Sequence, residues 1–365
     1  MENQPNKVIL KKIIQILFVI FWVSLILIFL YLPKIKLKSI NTRSINIYTW
    51  PDFLQHERVA PFEKLTGIKV NINYYENNNE ILTKLNLTKG SGIDLVAMTD
   101  DVVQKSIKNN LLQKIDKKQL NFWPDIRPEF KNLPNDPTDE YSIAYSWDIY
   151  GIGYSKKFFN YQIPIASWKI LFDPNIKNIA MTNEPYENIC IALQYLYKDK
   201  ANNLQFTPEI LEAIKNTLIA QKKHLEAYTD LRVDYLLTSG TSPAGVTQSS
   251  YIKRAMEYCD DIGFIIPEEG SFLVVDSLVI PKGAQNINDV YQLINFLNSY
   301  EELKYLTDNF GFLSARNSVL DDTDLSYMGK LEDLIAPEKF KKFGFFYQNL
   351  PQNVINKLWI DVKSQ

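Results

Sequence analysis

Several acidic side chains lie at positions where a predicted apolar strand ends and a predicted helix begins. Trp50, Asp52 and Phe53 follow strand-like residues that begin at Ile45, and Pro51 ends the strand because it has no N–H to donate. A carboxylate beside aromatic rings suits an organic cation, through charge-assisted hydrogen bonds and cation–π contacts. The alternative interpretation of this stretch is a helix-capping aspartate next to two core aromatics.

The same arrangement recurs at two other places in the chain. Glu184 and Glu187 follow the short apolar run 179–181, and their spacing of three puts both on one face of a helix's first turn. Asp100 and Asp101 follow the apolar residues DLVA at the start of another predicted helix. Acidic residues are favoured near any helix N-terminus, so capping stays an alternative at both places.

Asp276 is the unusual residue of the apolar run FLVVDSLVI. Burying an unpaired carboxylate costs free energy, so the pattern predicts a cationic partner or several hydrogen bonds. The partner could be another side chain of this protein, or an amine that comes from outside.

The elements that must position these residues alternate between strand and helix. This order predicts a parallel α/β sheet with right-handed crossovers, whose ligands bind at the carboxyl ends of the strands. The aromatic segment Tyr141–Phe159 and the run Phe272–Pro281 are predicted to be long strands that pass between two lobes. Residues 122–138 are rich in Pro, Asn and Asp and predict a surface excursion.

Composition excludes several kinds of chemistry. The 365 residues suffice for two domains, and a net charge of −2 does not favour nucleic acid as a partner. With only two cysteines and two histidines, in isolated positions, we predict no metal site, no cofactor and no Ser–His–acid triad. Spacing alone does not show whether Cys190 and Cys259 form a disulfide.

Near the N-terminus, Ile13–Leu32 is a run of 20 residues without charge. As a helix it would be about 30 Å long, the thickness of a bilayer's hydrocarbon core. A cleaved signal peptide would have a shorter apolar region and a small-x-small site, so we predict an uncleaved transmembrane anchor at 13–32 over a cleaved signal. Residues 1–12 are then a cytoplasmic N-terminus and residues 33–43 a linker.

Consecutive segments of the remaining chain follow the order of one known family. They are INIYTWPDF, FEKLTGIKV, YYENNNEILTKL, DLVAMT, LLQKIDKKQL, YSIAYSWDIYGIGYS, MTNEPYE, FIIPEEGSFLVVDSLVIPKGAQN and INFL. Together they resemble the periplasmic spermidine/putrescine-binding proteins of bacterial ABC importers. The resemblance implies an α/β, two-lobed periplasmic-binding-protein fold (type II). Lobe one would hold 44–150 and 276–320, and lobe two 151–275 and 321–365.

The resemblance also implies which residues bind the ligand. Trp50 matches an aromatic wall, Asp52 an amine-binding acid and Thr99 a hydroxyl contact. Glu184 and Glu187 match a second acidic cluster. The full predicted set is Trp50, Asp52, Phe53, Thr99, Asp101, Glu184, Glu187, Gln248, Asp276 and Phe312.

Within this set, Asp276 matches the acid that binds an inner amine, and several other positions depart from the family pattern. Phe53, Asp101 and Phe312 replace tyrosines, and Gln248 replaces a tryptophan, as does Val274. The acids are therefore kept, whereas the aromatic walls are expected to be thinner.

The implied function is capture of polyamines, with no catalysis, for an ABC permease and its ATPase. We expect a monomer in the periplasm, tethered to the inner membrane by the uncleaved helix. A binding protein or sensor for another organic cation is the alternative. A hydrolase that uses Glu184 and Glu187 is disfavoured, because this spacing on one helix does not place a substrate between the two acids.

Overall fold

The computed structural model describes residues 4–31, 43–230, 232–329, 334–336, 340–346 and 349–365. Its contacts separate the chain into two units, Met1–Arg43 and Ser44–Gln365.

In the first unit the structure describes one helix, α1, Gln4–Tyr31. The large apolar side chains between Ile13 and Ile28 are about half exposed. Among the residues that were searched, which are the described ones, no helix is both long and apolar enough to cross a membrane. The predicted anchor is therefore not confirmed, and its last residue and most of the predicted linker lie outside the described residues.

The second unit begins with alternating strands and helices, as predicted. They are β1 Ser44–Thr49, α2 His56–Thr66, β2 Lys69–Tyr74, α3 Asn78–Thr88, β3 Leu95–Thr99 and α4 Asp100–Lys108. The strands are parallel, with β1 between β2 and β3. Gly67 ends α2 with a φ of 69°, which glycine adopts without steric cost. Asn77 caps α3 through its side chain.

The long strand β4, Ser142–Ser155, connects two groups of strands. From Ser142 to Ile149 it pairs with β9, Phe272–Val279, and from Tyr150 to Tyr154 it pairs with β7, Ala244–Gln248. This confirms that Tyr141–Phe159 contains a strand that passes between two halves of the molecule. The strand order up to this point is β2-β1-β3-β9-β4-β7, and the pairings of β9 with β3 and β4 and of β4 with β7 are antiparallel.

The remaining elements of the middle of the chain build the second half. They are α5 Lys169–Phe172, β5 Ile179–Thr182, α6 Pro185–Tyr197, α7 Pro208–Lys222, β6 Leu225–Thr229, α8 Asp234–Thr238, α9 Ser249–Met256 and β8 Ile262–Ile265. The short helix α8 contains the buried Leu237. Burial of Leu237 against the core stabilises a helical turn there.

The C-terminal part returns to both halves. It contains α10 Ile287–Leu297, α11 Tyr300–Phe310, β10 Leu313–Ser314, α12 Asn317–Leu320, β11 Gly344–Phe345 and α13 Gln352–Ser364. Strand β10 pairs with β4, and β11 with β9.

The predicted surface excursion at 122–138 is wrong in one respect. Its apolar side chains, including Phe122, Ile126 and Phe130, are buried in the core. The prolines and polar residues form short turns, Trp123–Asp125 and Pro128–Phe130, that leave the apolar side chains free to pack inward.

Separate apolar cores support the two halves. One is formed around β1, the first part of β4 and β9, and another around the second part of β4 with β5 and β7. Leu325 and Leu334 pack in the first core, although their positions fall in the range predicted for lobe two. The residue boundaries of the lobes stay a prediction.

Candidate ligand-binding site

A cleft with a volume of about 580 Å³ lies where β1, β3, β5 and β7 end. This is the edge at which open α/β sheets bind ligands. All ten residues predicted from the sequence line this cleft. The structure thus brings them together from distant parts of the chain, while their role in binding stays a prediction.

The lining of the cleft is strongly acidic. Eight of the lining side chains are carboxylic acids, and Lys105 is the single lysine or arginine among the described residues that line it. A cleft of one charge sign, with apolar walls between the charges, concentrates ions of the opposite sign. This arrangement favours a cationic ligand.

Trp50 and its neighbours form one wall. The Trp50 ring lies 5.9 Å from the Phe53 ring and 5.3 Å from the Tyr75 ring, measured between centroids. Phe53 is buried, with its ring 4.7 Å from Tyr145. The Phe53 side chain thus serves the core, as the alternative interpretation of this stretch proposed, and it also forms part of the cleft floor.

Asp52 has a partner that the sequence did not reveal. Arg254, on α9, donates from Nη1 to Oδ2 of Asp52 at 2.9 Å, and this ion pair connects the two sides of the cleft. The Asp52 side chain is 44% exposed, so the pair contributes at most about 1 kcal/mol.

Thr99 and Asp101 form a local polar network. Oγ1 of Thr99 donates to Oδ1 of Asp101 at 2.5 Å, and Nδ2 of Asn78 reaches both side chains, at 3.0 and 3.3 Å. Nζ of Lys105 lies 3.2 Å from Oδ2 of Asp101. Both carboxylate oxygens of Asp101 therefore have internal partners.

Glu187 is held by two hydroxyl groups. Tyr150 and Thr182 each donate to its carboxylate at 2.7 Å. Burial raises the pKa of Glu187 to about 7, the two hydrogen bonds oppose that rise, and repulsion from Glu184 and Asp101 adds to it. Glu184 lies at the N-cap position of α6 and makes no side-chain capping hydrogen bond.

Asp276 lines the cleft and has few internal hydrogen bonds. It is 8% exposed, and a single hydrogen bond reaches it among the described residues, from Oγ of Ser146 to Oδ2 at 3.1 Å. The predicted cationic partner or set of hydrogen bonds is absent from the part of the chain that the structure describes. Burial raises the pKa of Asp276 to about 7, and the nearby Asp148 adds to that rise.

Three further acids line the cleft and are absent from the predicted set, namely Glu76, Asp100 and Asp148. At Asp100, capping of a helix start offers a simpler explanation. Asp148 interrupts the apolar strand segment YSIAYSWDIYGIGYS as Asp276 interrupts its own, so the same signal could have found it. Burial raises the pKa of Asp148 to about 6, against hydrogen bonds from Ser249 and Ser250.

Aromatic residues outside the predicted set also line the cleft. Gln248 and Val274 line the cleft, but so do Tyr150, Tyr251 and Phe346. The Phe346 ring lies 4.6 Å from that of Tyr150 and 4.3 Å from that of Phe272, measured between centroids. Ring surface is therefore supplied by β4, α9 and the segment after β11.

The arrangement is suited to binding a solute. Nowhere in the described part of the chain do three or more His, Cys, Asp or Glu side chains form a group that could hold a metal ion. Cys190 and Cys259 are both free thiols. Two α/β halves around one acidic, aromatic cleft define a protein of the solute-binding class.

Comparison with known proteins gives the family. The family described as "Bacterial extracellular solute-binding protein" matches residues 57–332, and the chain belongs to it. Members of this family bind solutes, which confirms the prediction of a binding protein and removes the hydrolase hypothesis.

Individual relatives agree with the resemblance inferred from the sequence. The putrescine-binding periplasmic protein SpuD of Pseudomonas aeruginosa (strain UCBPP-PA14) is 26% identical over 349 residues, covering 90% of this chain and 94% of that protein. The spermidine/putrescine-binding periplasmic protein of Escherichia coli (strain K12) is 28% identical over 274 residues, covering 74% of this chain and 77% of that protein.

A solved structure shows the same fold. The spermidine/putrescine ABC transporter substrate-binding protein PotD from Streptococcus pneumoniae strain Canada MDR_19A superposes with a TM-score of 0.77 at 23% identity. The match covers 88% of this chain and 99% of that chain. The predicted two-lobed α/β periplasmic-binding-protein fold is thereby confirmed.

Proposed function

We propose that this chain is the substrate-binding component of an ABC importer and that it captures polyamines such as spermidine and putrescine. The observation that carries the proposal is Asp276, a buried carboxyl in the lining of an acidic cleft with no cation bonded to it among the described residues. The names of the relatives support the same ligand class. The chain would act as a monomer in the periplasm and deliver its ligand to a permease and ATPase.

The chemistry of a polyamine matches the lining of the cleft. Each ammonium group takes a carboxylate, worth about 1.5–3 kcal/mol as a charged hydrogen bond. The methylene groups lie against rings such as Trp50 and Tyr251, which add about 0.5–2 kcal/mol for each cation they face. Binding would close the predicted lobes, 44–150 with 276–320 against 151–275 with 321–365, around the ligand by a hinge motion.

Calorimetric titration of the purified full-length chain tests this function. We expect putrescine or spermidine to bind, because the cleft offers carboxylates and rings to a flexible dication or trication. Glucose and glutamate serve as neutral and anionic controls and are expected not to bind. Including agmatine and arginine in the panel shows whether another organic cation is preferred. Absence of heat and of thermal stabilisation with every amine at millimolar concentration would overturn the proposal.

The tether is a separate part of the proposal, supported by the sequence of Ile13–Leu32 with its 20 uncharged residues. We expect the full chain to sediment with membranes and to stay there after an alkaline carbonate wash. The matched control lacks residues 1–37 and carries a cleavable signal peptide, and it should appear in the soluble periplasmic extract. Recovery of the full chain in that soluble extract would contradict the anchor.

A further inference from the structure

Asp148 and Asp276 lie on one face of two paired strands. In the antiparallel ladder of β4 and β9, Ser146 is opposite Asp276 and Asp148 is opposite Val274. Side chains directly opposite each other point to the same side of a sheet, and so do residues two apart on one strand. Asp148 is therefore the diagonal neighbour of Asp276, with β-carbons about 7–8 Å apart or somewhat less, and both line the cleft.

Neither carboxyl has a cationic partner among the described residues. Oδ1 of Asp148 accepts from the backbone N–H of Ile149 at 2.8 Å and of Ser250 at 3.2 Å, and from the Ser249 hydroxyl. Its Oδ2 accepts a long hydrogen bond from the N–H of Ser250, at 3.4 Å. Oδ1 of Asp276 has no hydrogen bond within the described ranges, whereas its Oδ2 accepts from Ser146.

Asp148 holds the N-terminus of α9 through these hydrogen bonds, but this role explains only part of its geometry. The hydrogen bonds to Ser249 and Ser250 are mainly at Oδ1, which leaves Oδ2 of Asp148 weakly bonded. The residue is 1% exposed and lines the cleft. A helix cap alone would not need a charged group placed beside a second buried acid, because the neutral hydroxyl or amide of Ser or Asn caps as well.

Asp100 supplies an independent sign of a missing ligand. It lines the cleft, is 3% exposed, and its Oδ2 is buried without a hydrogen-bond partner among the described residues. Its neighbour Thr99 is opposite Asp276 in the pairing of β3 with β9. Asp276 and Asp148 thus lie on the adjacent strands β9 and β4, and Asp100 begins α4 directly after the end of β3, the strand on the other side of β9. Because buried polar atoms are almost always bonded, the unpartnered oxygen points to a donor that arrives with the ligand.

We propose that Asp148 is a further ligand-binding carboxylate which, with Asp276 and with Asp100 beside them, forms an interior subsite for the secondary ammonium of a linear triamine. A secondary ammonium carries two N–H donors, and two carboxylates on one face of the sheet can accept one each. The terminal ammonium groups then lie toward Asp52 and toward Glu184 and Glu187. This subsite deepens the proposed function and rests on it.

The test compares spermidine with 1,8-diaminooctane, which has the same chain length and terminal amines but no inner nitrogen. Calorimetry on the full-length chain is expected to give a preference for spermidine of at least about 10-fold. Asp148→Asn retains an acceptor for the N–H of Ser250, and it is expected to lower that preference about 10-fold. Asp100→Asn is expected to lower it by a smaller factor. Glu226→Gln, an exposed acid outside the cleft lining, is expected to leave both affinities unchanged.

Each outcome decides between distinct explanations. A preference that is the same in Asp148→Asn as in the natural chain would overturn the subsite. An equal loss for both amines would also overturn it and would show that Asp148 acts only by holding α9. If the Asp148 variant does not fold, the ratio of spermidine affinity to 1,8-diaminooctane affinity in Asp100→Asn tests the subsite instead. Failure of the natural chain to bind any amine is a different result, which overturns the proposed function and the subsite with it.

Discussion

Asp276→Asn is expected to lower polyamine affinity about 10- to 100-fold while the fold stays intact. The carboxylate of Asp276 offers an ammonium group a charged hydrogen bond worth about 1.5–3 kcal/mol, and asparagine offers only a neutral acceptor. Ser146 can still donate to the amide oxygen, so the one internal hydrogen bond survives the change. The substitution should therefore weaken ligand binding without disturbing the packing around the residue.

The same variant is expected to be more stable than the natural chain when no ligand is bound, at pH 8 but not at pH 4. The pKa of Asp276 is raised to about 7 in the folded state, so between its ordinary value of 3.8 and 7 the folded state keeps a proton that the unfolded state has released. The free energy of unfolding therefore falls by about 1.4 kcal/mol for each pH unit within this window. Asparagine does not titrate, so it avoids this loss. We expect the Tm to rise by roughly 5 °C at pH 8.

Calorimetric titration and thermal unfolding of the two chains measure both effects. Asp289→Asn is the matched control, because Asp289 is buried to a similar degree and does not line the cleft. Its amine affinity should equal that of the natural chain. Retention of full affinity by Asp276→Asn would remove Asp276 from the site, and a lower Tm at pH 8 would show that its charge is compensated internally.

Polyamine affinity is expected to increase by at least about 10-fold between pH 5.5 and pH 8. The pKa values of Glu187 and Asp276 are both raised to about 7, and that of Asp148 to about 6, chiefly by burial. These acids are partly protonated in the empty cleft near neutral pH, whereas an ammonium group binds the ionised form. Putrescine is the ligand for this measurement, because its two primary amines have pKa values near that of lysine, about 10.4, and stay charged throughout this range. The pH dependence thus comes from the protein.

Proton release gives an independent measurement of the same effect. At pH 6, titration in buffers of different ionisation enthalpy should show about one or more protons released for each ligand bound. Polyamine affinity thus increases with pH, whereas the stability of the empty protein falls as pH rises through the same window. Glu187→Gln should release fewer protons than the natural chain. Binding that neither releases protons nor changes with pH would contradict the assignment of these acids to the ligand.

Much of the site was accessible from local sequence patterns. An acid after a strand, as at Asp52 and Glu184, is placed at the sheet's ligand-binding edge by the alternation of strand and helix alone. Asp276 was identifiable because a carboxylate in an apolar run must be buried next to something that compensates it. Asp148 has the same signal, and Asp100 differs only in that a position at a helix start offers a simpler explanation.

Contacts between residues distant in sequence could not be predicted from local patterns. Arg254 is 202 positions from Asp52, and no local pattern predicts that the two meet across the cleft. The aromatic walls are a similar case, because Phe346 reaches the cleft through the pairing of β11 with β9. Its contribution to the cleft therefore depends on tertiary pairing and not on a local sequence pattern.

The sequence by itself determined the class of fold, the family and the acidic character of the site, because hydrophobic periodicity and residue type act locally along the chain. Only the tertiary structure decided which acids have internal partners. Asp52 and Asp101 are paired with Arg254 and Lys105, whereas Asp276 receives one hydrogen bond among the described residues. That difference depends on strand register and on the burial of each carboxyl, which are set when β3, β9 and β4 pack side by side at the centre of the sheet.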